Sequence, residues 1–211
     1  MARLDSMKWI LSLLLVFFSA SMSVAQMDDT MSFGGGYSRH GTDDVGGFFF
    51  SVNYEKRLRE KIGASFSIIG TIHDGRTPVL YYDEIELVWK TGNLLFVTGG
   101  VHLSTGLTYR LVSLKKGNIA LGLAPLLRYQ TTSNPDYSLV NFYSTNYFSD
   151  SNFKRSFSVG GIGCLAYTIN LKGDFFISIS SSLQYDTHED ALGMVGFSIG
   201  RRITRPKDGS D

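Results

Sequence analysis

Apolar and polar positions alternate along most of the chain. In residues 48–54, Phe48, Phe50, Val52 and Tyr54 share one side of an extended backbone, and Phe49, Ser51 and Asn53, followed by Glu55, share the other. Residues 62–73 repeat the rule, with Ile62, Ala64, Phe66, Ile68 and Ile72 opposite Gly63, Ser65, Ser67, Thr71 and His73. Residues 97–111 set Val97, Val101, Leu103, Leu107, Tyr109 and Leu111 against Thr98, Gly100, His102, Ser104, Gly106, Thr108 and Arg110. Residues 119–129 set Ile119, Leu121, Leu123, Leu127 and Tyr129 against Ala120, Gly122, Ala124 and Arg128, and 157–169, 175–185 and 191–203 follow suit. Successive side chains of a strand point to opposite faces, so a period of two predicts β-strands; no long stretch keeps the 3.6-residue period of a helix.

The chemistry of the two faces narrows the class. A soluble barrel or sandwich buries its large apolar face and keeps a wet, charged one. Here the second face is mainly Gly, Ser, Thr and Ala with a few charges, which suits the crowded interior of a narrow barrel. The apolar face is free of charge through the middle of the strands, as a lipid-facing surface requires, because a midplane Lys or Arg costs about 2–4 kcal/mol there. Several alternating runs are longer than the usual globular strand and can cross a bilayer when tilted. Tyr54, Tyr109, Tyr129, Tyr167 and Tyr185 sit near strand ends, the positions of an aromatic girdle. The expected fold is therefore an all-β, antiparallel up-and-down transmembrane barrel.

The links between strands alternate in length. Residues 57–61, 115–118 and 170–174 are short; 39–45, 74 to about 94, and 130–154 are long. Short turns on one side and long loops on the other is the outer-membrane pattern, with both termini on the short-turn, periplasmic side. Treating residues 97–111 as one strand gives eight strands. A tight turn at Thr91-Gly92-Asn93 and another near Ser104-Thr105-Gly106 would give ten. Eight is preferred because alternation runs unbroken through Ser104; the alternating segment 81–90 then belongs to a hairpin standing above the membrane.

The N-terminus agrees with export. Arg3 and Lys8 precede the apolar run WILSLLLVFF at 9–18, and small residues end in Ser23-Val24-Ala25. This is the layout of a cleaved signal peptide, too short for a spanning helix. The expected divisions are a signal peptide at 1–25, a barrel domain at 26–203 and a polar periplasmic tail at 204–211. With Lys plus Arg at 20 and Asp plus Glu at 19, there is no basic footprint for nucleic acid. The single cysteine, Cys164, excludes an internal disulfide, so an exported chain must find its stability elsewhere. A closed barrel in lipid supplies it.

The signal peptide ending in Ala-Gln, the segment Ser51-Val52-Asn53-Tyr54-Glu55 and the glycine-rich closing strand at 193–200 resemble small outer-membrane β-barrel proteins of the Bacteroidetes type. The architecture is similar to the OmpA and OmpX barrels. The resemblance implies a role in envelope integrity or at the cell surface, no catalytic residues and no cofactor, with outer-membrane lipid and the barrel-assembly machinery as partners. It departs from such barrels at the end, where the last strand closes on Arg201-Arg202-Ile203 and not on an aromatic residue.

Candidate chemistry is sparse. His102-Leu103-Ser104 has the spacing of a lipid A deacylase motif, and His with Ser can form a base and nucleophile. Thr105 stands where that motif has Asn, and parity turns both side chains into the lumen. Asp186-Thr187-His188 with Asp83-Glu84 imitates an omptin-like protease pair, since a carboxylate beside a His can raise its basicity. Asp186, His188, Glu189 and Asp190 form a weak metal-binding set. The preferred reading is non-enzymatic, with loops meeting an extracellular or periplasmic partner. The long loop carries Tyr137, Phe142, Tyr143, Tyr147, Phe148 and Phe153 among small polar residues, a composition suited to contact surfaces. The rival is a small porin-like channel. An eight-stranded interior is only wide enough to be filled by side chains, and a network of Glu55, Arg110 and Arg128 is expected to plug it.

Overall fold

The structure is a computed structural model and describes residues 29–41, 45–83, 86–135, 151–188 and 190–203. The expected signal peptide and polar tail lie outside those residues. Eight strands follow in chain order: β1 Asp29–His40, β2 Val45–Arg57, β3 Ile62–Asp83, β4 Val88–Leu114, β5 Gly117–Pro135, β6 Ser151–Asn170, β7 Phe175–Asp186 and β8 Ala191–Ile203. Each pairs antiparallel with its sequence neighbours, and β1 pairs with β8 to close the barrel. The ten-strand alternative is excluded: β4 runs unbroken through Thr91-Gly92-Asn93 and through Ser104-Thr105-Gly106.

The register fixes the barrel's shape. Ladder partners followed once around the wall lead from Met31 through Tyr54 and Phe66 to Thr105, cross to Pro125 in the register set by Ser104↔Leu126 and Leu107↔Leu123, and continue through Gly161, Tyr185 and Ala191. The circuit ends at Gly41, whose N–H donates to the Ala191 carbonyl at 2.7 Å. The path therefore returns to β1 ten residues beyond its start. With strands about 4.8 Å apart and rising about 3.3 Å per residue, that stagger tilts them by about 40°, within the usual barrel range. The ladder is least regular at two places. Pro125 has no N–H to give, and no β4 partner is assigned opposite it. A bulge between Arg110 and Val112 shifts the register and leaves both Leu111 and Val112 exposed.

The faces fall as the alternation requires. Phe33, Phe50, Ile68, Leu103, Leu123, Val159, Ile179 and Phe197, one from each strand, are exposed on the outside, with Phe48 at 74% and Phe197 at 68%. Ser38, Ser51, Thr71, His102, Ser104, Arg128, Ser158, Ser178 and Gln184 are buried inside. This inversion of a soluble protein is stable only where lipid replaces water around the wall. Tyr109 and Tyr167 ring the short-turn end, and Tyr185 and Tyr129, the latter tilted against Phe157 at 4.8 Å, ring the other. Tyr54 is half-buried and donates to the Asp29 carboxylate at 2.8 Å. Several large apolar side chains do point inward, among them the buried cluster of Ile69, Leu192 and Met194 with Phe49 and Ile162 against it, and glycines make room for Phe49 and Phe176. A Cβ on Gly196 would stand 2.6 Å from Phe49 Cζ and one on Gly36 2.9 Å from its Cε1; Phe176 similarly overlies Gly200.

The short turns are tight: Leu58 and Arg59 N–H both donate to the Ile62 carbonyl, and Leu171 N–H to that of Phe175. Gly173 in the last of these has φ of 75°, the left-handed region in which a side chain would be strained. Two expected long loops are corrected. The link from 74 to about 94, expected to hold a hairpin at 81–90, is strand for most of its length: that hairpin is the far end of a β3–β4 ladder that stays paired from Asp74↔Val97 to Asp83↔Val88. Neither β2 nor β5 follows them that far, since their ladders stop at His73 and Thr98. The link expected at 130–154 likewise shrinks, with β5 and β6 paired as far as Pro135↔Ser151.

Candidate functional site: the lumen

The lumen divides into a packed half beneath the long links and an open half above the short turns. The packed half is built on Arg128 of β5, whose side chain is 1% exposed. Its Nη1 donates to Asp186 Oδ2 at 2.9 Å and to Asp190 Oδ2 at 3.2 Å, and its Nη2 donates to His40 Nε2 at 2.8 Å. Asp186, at the end of β7, also accepts from the Ser158 hydroxyl on Oδ2 and from the His188 backbone N–H on Oδ1, both at 2.9 Å. Five hydrogen bonds thus tie β1, β5, β6, β7 and the β7–β8 link together across the barrel. His40 meets His73 edge-on with ring centroids 4.9 Å apart, and His73 Nε2 lies 2.9 Å from Ser38 Oγ.

One layer down, His102 Nδ1 donates to Gln184 Oε1 at 2.6 Å, and Nε2 lies 3.2 Å from Thr71 Oγ1. An amide oxygen only accepts, so Nδ1 carries a proton, while Nε2 and the threonine hydroxyl share the second hydrogen bond. His102 is thereby held by an amide and a threonine. Ser104, on the same face, is not among its partners, so the geometry assembles no nucleophile–base pair from the His-x-Ser spacing. Asp186 is similarly committed: its carboxylate caps the His188 backbone and neutralises Arg128. Asp83 and Glu84, the other half of the protease-like arrangement, lie outside the residues whose side chains are described. Among the described residues no group of three His, Cys, Asp or Glu could hold a metal; Glu189 of the proposed set lies outside them.

The open half is a cavity of about 220 Å³ lined by serines and threonines interspersed with apolar side chains such as Phe49, Ile69, Ile162, Phe176 and Met194, with Glu55, Arg110 and Arg202 as its charged lining. Arg110 Nη2 lies 3.8 Å from Glu55 Oε1, and Arg202 Nη2 donates to Asn170 Oδ1 at 2.6 Å. The expected three-residue network therefore divides. Glu55 and Arg110 do meet, but Arg128 sits at the other end of the lumen with Asp186. The stagger of the strands, which decides which levels face each other, separates them. His40, His73, Gln184 and Asp190 complete the packed half. Parity could place His73 on the lumen face, but no spacing in the chain pairs Arg128 with a carboxylate 58 residues away. Of the expected contact-loop aromatics, Tyr137, Phe142, Tyr143, Tyr147 and Phe148 lie outside the described residues, and Phe153 is exposed on β6.

An apolar exterior, a closed ladder and a polar filled interior leave one class of protein. The fold is that of a small outer-membrane β-barrel. Solved structures of that class are similar to it. The attachment invasion locus protein Ail of Yersinia pestis, crystallised with the heparin analogue sucrose octasulfate, superposes with a TM-score of 0.54 at 14% identity, over 85% of this chain and all (100%) of that one. Neisserial surface protein A gives a TM-score of 0.54 at 9% identity, over 83% of this chain and 97% of that one. The chain matches no protein-family model and no curated protein sequence.

Proposed function

We propose that this barrel is a non-enzymatic surface protein whose β3–β4 arm presents an edge for pairing with an extended segment of an extracellular protein. The observation that carries the reading is the ladder from Asp74↔Val97 to Asp83↔Val88, in which, among the described residues, each strand has only the other as a ladder partner. At about 3.3 Å per residue the arm reaches roughly 30 Å. Among the described residues no third strand joins its two outer edges, and a free sheet edge is the template used in β-strand addition. Leu87, Val88 and Trp89 at its tip are exposed. Asp74, Asp83 and Glu86 outnumber Arg76 and Lys90 along the described residues of the arm, and Lys90 is already paired with Glu86 at 2.9 Å. That charge balance favours a neutral or cationic protein segment over a polyanion of the kind bound to Ail. Membrane lipid and the barrel-assembly machinery are the further partners this reading requires. Ser51-Val52-Asn53-Tyr54-Glu55 and the closing strand support a Bacteroidetes-type relationship.

The test replaces residues 76–95 with an Asn-Gly turn and compares adhesion of producing cells to protein-coated and heparin-coated surfaces. The reading expects lost adhesion to protein with heat-modifiable gel migration retained; unchanged adhesion refutes it. The second reading, a small channel, draws on the 220 Å³ cavity. It is opposed by the Arg128–Asp186 layer, and stable, sizeable openings of the purified protein in planar bilayers would favour it.

A further inference from the structure

The open half of the lumen is electrostatically unbalanced. Among the described residues three guanidinium groups approach it and one carboxylate, Glu55, lines it. Arg110 and Arg202 line the cavity with Glu55. Arg57, two residues beyond Glu55 on the inward parity of β2, acts electrostatically on Arg110, as does Arg202. The Glu55–Arg110 separation of 3.8 Å is longer than a charge-assisted hydrogen bond, so the carboxylate does not close on the guanidinium. Arg202 is held by a neutral amide, Asn170, and the buried Nε of Arg57 has no hydrogen-bond partner. The other half of the lumen contrasts with this. There Arg128 faces two carboxylates and both of its terminal nitrogens donate, although its buried Nε, like that of Arg57, has no hydrogen-bond partner.

Like charges gathered in a narrow lumen favour an anion between them. The surrounding wall supplies neutral donors, with Ser51, Ser67, Ser104, Ser180 and Ser198 facing the space from five strands. A planar guanidinium fork and hydroxyl donors match a tetrahedral oxyanion better than a spherical halide. The volume of 220 Å³ corresponds to about seven waters at roughly 30 Å³ each. It takes an inorganic oxyanion with part of its hydration shell and excludes larger phosphorylated solutes. The Arg128 layer blocks the far side, so the ligand enters and leaves at the short-turn, periplasmic mouth.

We propose that the periplasmic half of the lumen is a binding site for a small inorganic oxyanion of the phosphate or sulfate class, held by Arg110 and Arg202. Glu55 competes with that ligand for Arg110 and sets the affinity. The inference does not depend on the surface-contact reading, which concerns the other end of the molecule.

The experiment uses the full chain extracted from outer membranes and folded in detergent micelles. Inorganic phosphate and sulfate are titrated calorimetrically against a chloride background. The expected result is saturable one-to-one binding. Arg110→Gln or Arg202→Gln weakens it by at least about tenfold, since each removes a charged hydrogen-bonding group. Glu55→Gln tightens it, which a merely structural role for Glu55 does not explain. Lys172→Gln, at an exposed cation in the β6–β7 turn, leaves it unchanged. Heat-modifiable migration checks that each variant is folded; should Arg110→Gln fail to fold, Arg202→Gln and Glu55→Gln decide. No saturable binding of either ion overturns the proposal, as does binding indifferent to Arg202→Gln or weakened by Glu55→Gln.

Discussion

Arg128 shows how much a single lumen residue can hold. Buried with Asp186, Asp190, Ser158 and His40, it has terminal nitrogens that are satisfied only as part of a set. Breaking a buried pair from one side leaves the other charge uncompensated, at a cost of about 3–5 kcal/mol. Arg128→Ala is therefore expected to lower sharply the temperature at which the folded gel band converts to the unfolded one. Arg128→Ala combined with Asp186→Ala should recover part of the loss, whereas equal losses in the single and double variants would show that the pair is not the unit. The outer face predicts a different failure. Phe66→Arg and Leu121→Arg place a cation against lipid, costing about 2–4 kcal/mol at the midplane, and should block membrane assembly. Ser67→Arg and Gly122→Arg crowd the lumen and should yield inserted protein with altered stability; normal assembly of Phe66→Arg would invert the facing. The sequence made the facing legible at these positions because parity is local. It left the Arg128–Asp186 contact illegible, because two residues on non-neighbouring strands meet only through the stagger of a closed wall.

Strand boundaries were the least legible elements. Thr131, Thr132, Ser133, Asn134 and Pro135 have the composition of a loop, yet they pair with 151–155 of β6. The Val97 N–H donates to the Ser133 hydroxyl, and that hydroxyl to the Val97 carbonyl, carrying the β4–β5 contact one step past their last paired residues. Gly75 and Pro78 on β3 are equally turn-like and equally paired. In each case cross-strand pairing supplied by the neighbour outweighs weak local preference, as β-propensity commonly allows. A deletion of 132–151 would therefore remove ladder as well as link. Replacing 137–149 with a short polar linker spares the pairs up to Pro135↔Ser151, and loop closure changes only logarithmically with length. Heat-modifiable migration should survive that replacement, and protease shaving of intact cells should cleave the wild-type link. Loss of the folded band would assign the five deleted aromatics, Tyr137, Phe142, Tyr143, Tyr147 and Phe148, to the fold. Protection in intact cells would place the link away from the surface.

At the scale of the whole molecule, eight strands and outward apolar residues were readable in advance, since each follows from a pattern within a segment; the alternation of link lengths does not hold, because β3–β4 and β5–β6 pairing takes up most of two links expected to be long. The ten-residue stagger was not readable, because it is a sum of eight registers and belongs to no one of them. The closure of β1 on β8 carries one more implication. Asp29 and Ile203 are ladder partners, so the ends of the wall lie about 5 Å apart. A ring has no privileged beginning: the order in which its strands leave the ribosome is a convention of the gene and not a requirement of the barrel. Joining Asp29 to Ile203 through a short glycine-serine bridge and opening the chain between Lys115 and Lys116 should give a circular permutant with the same wall. The expected outcome is a variant that refolds into micelles with wild-type heat-modifiable migration. Failure to refold with the bridge in place would mean that β1 must be threaded first, and that the route to closure, as well as the closed state, is written into strand order.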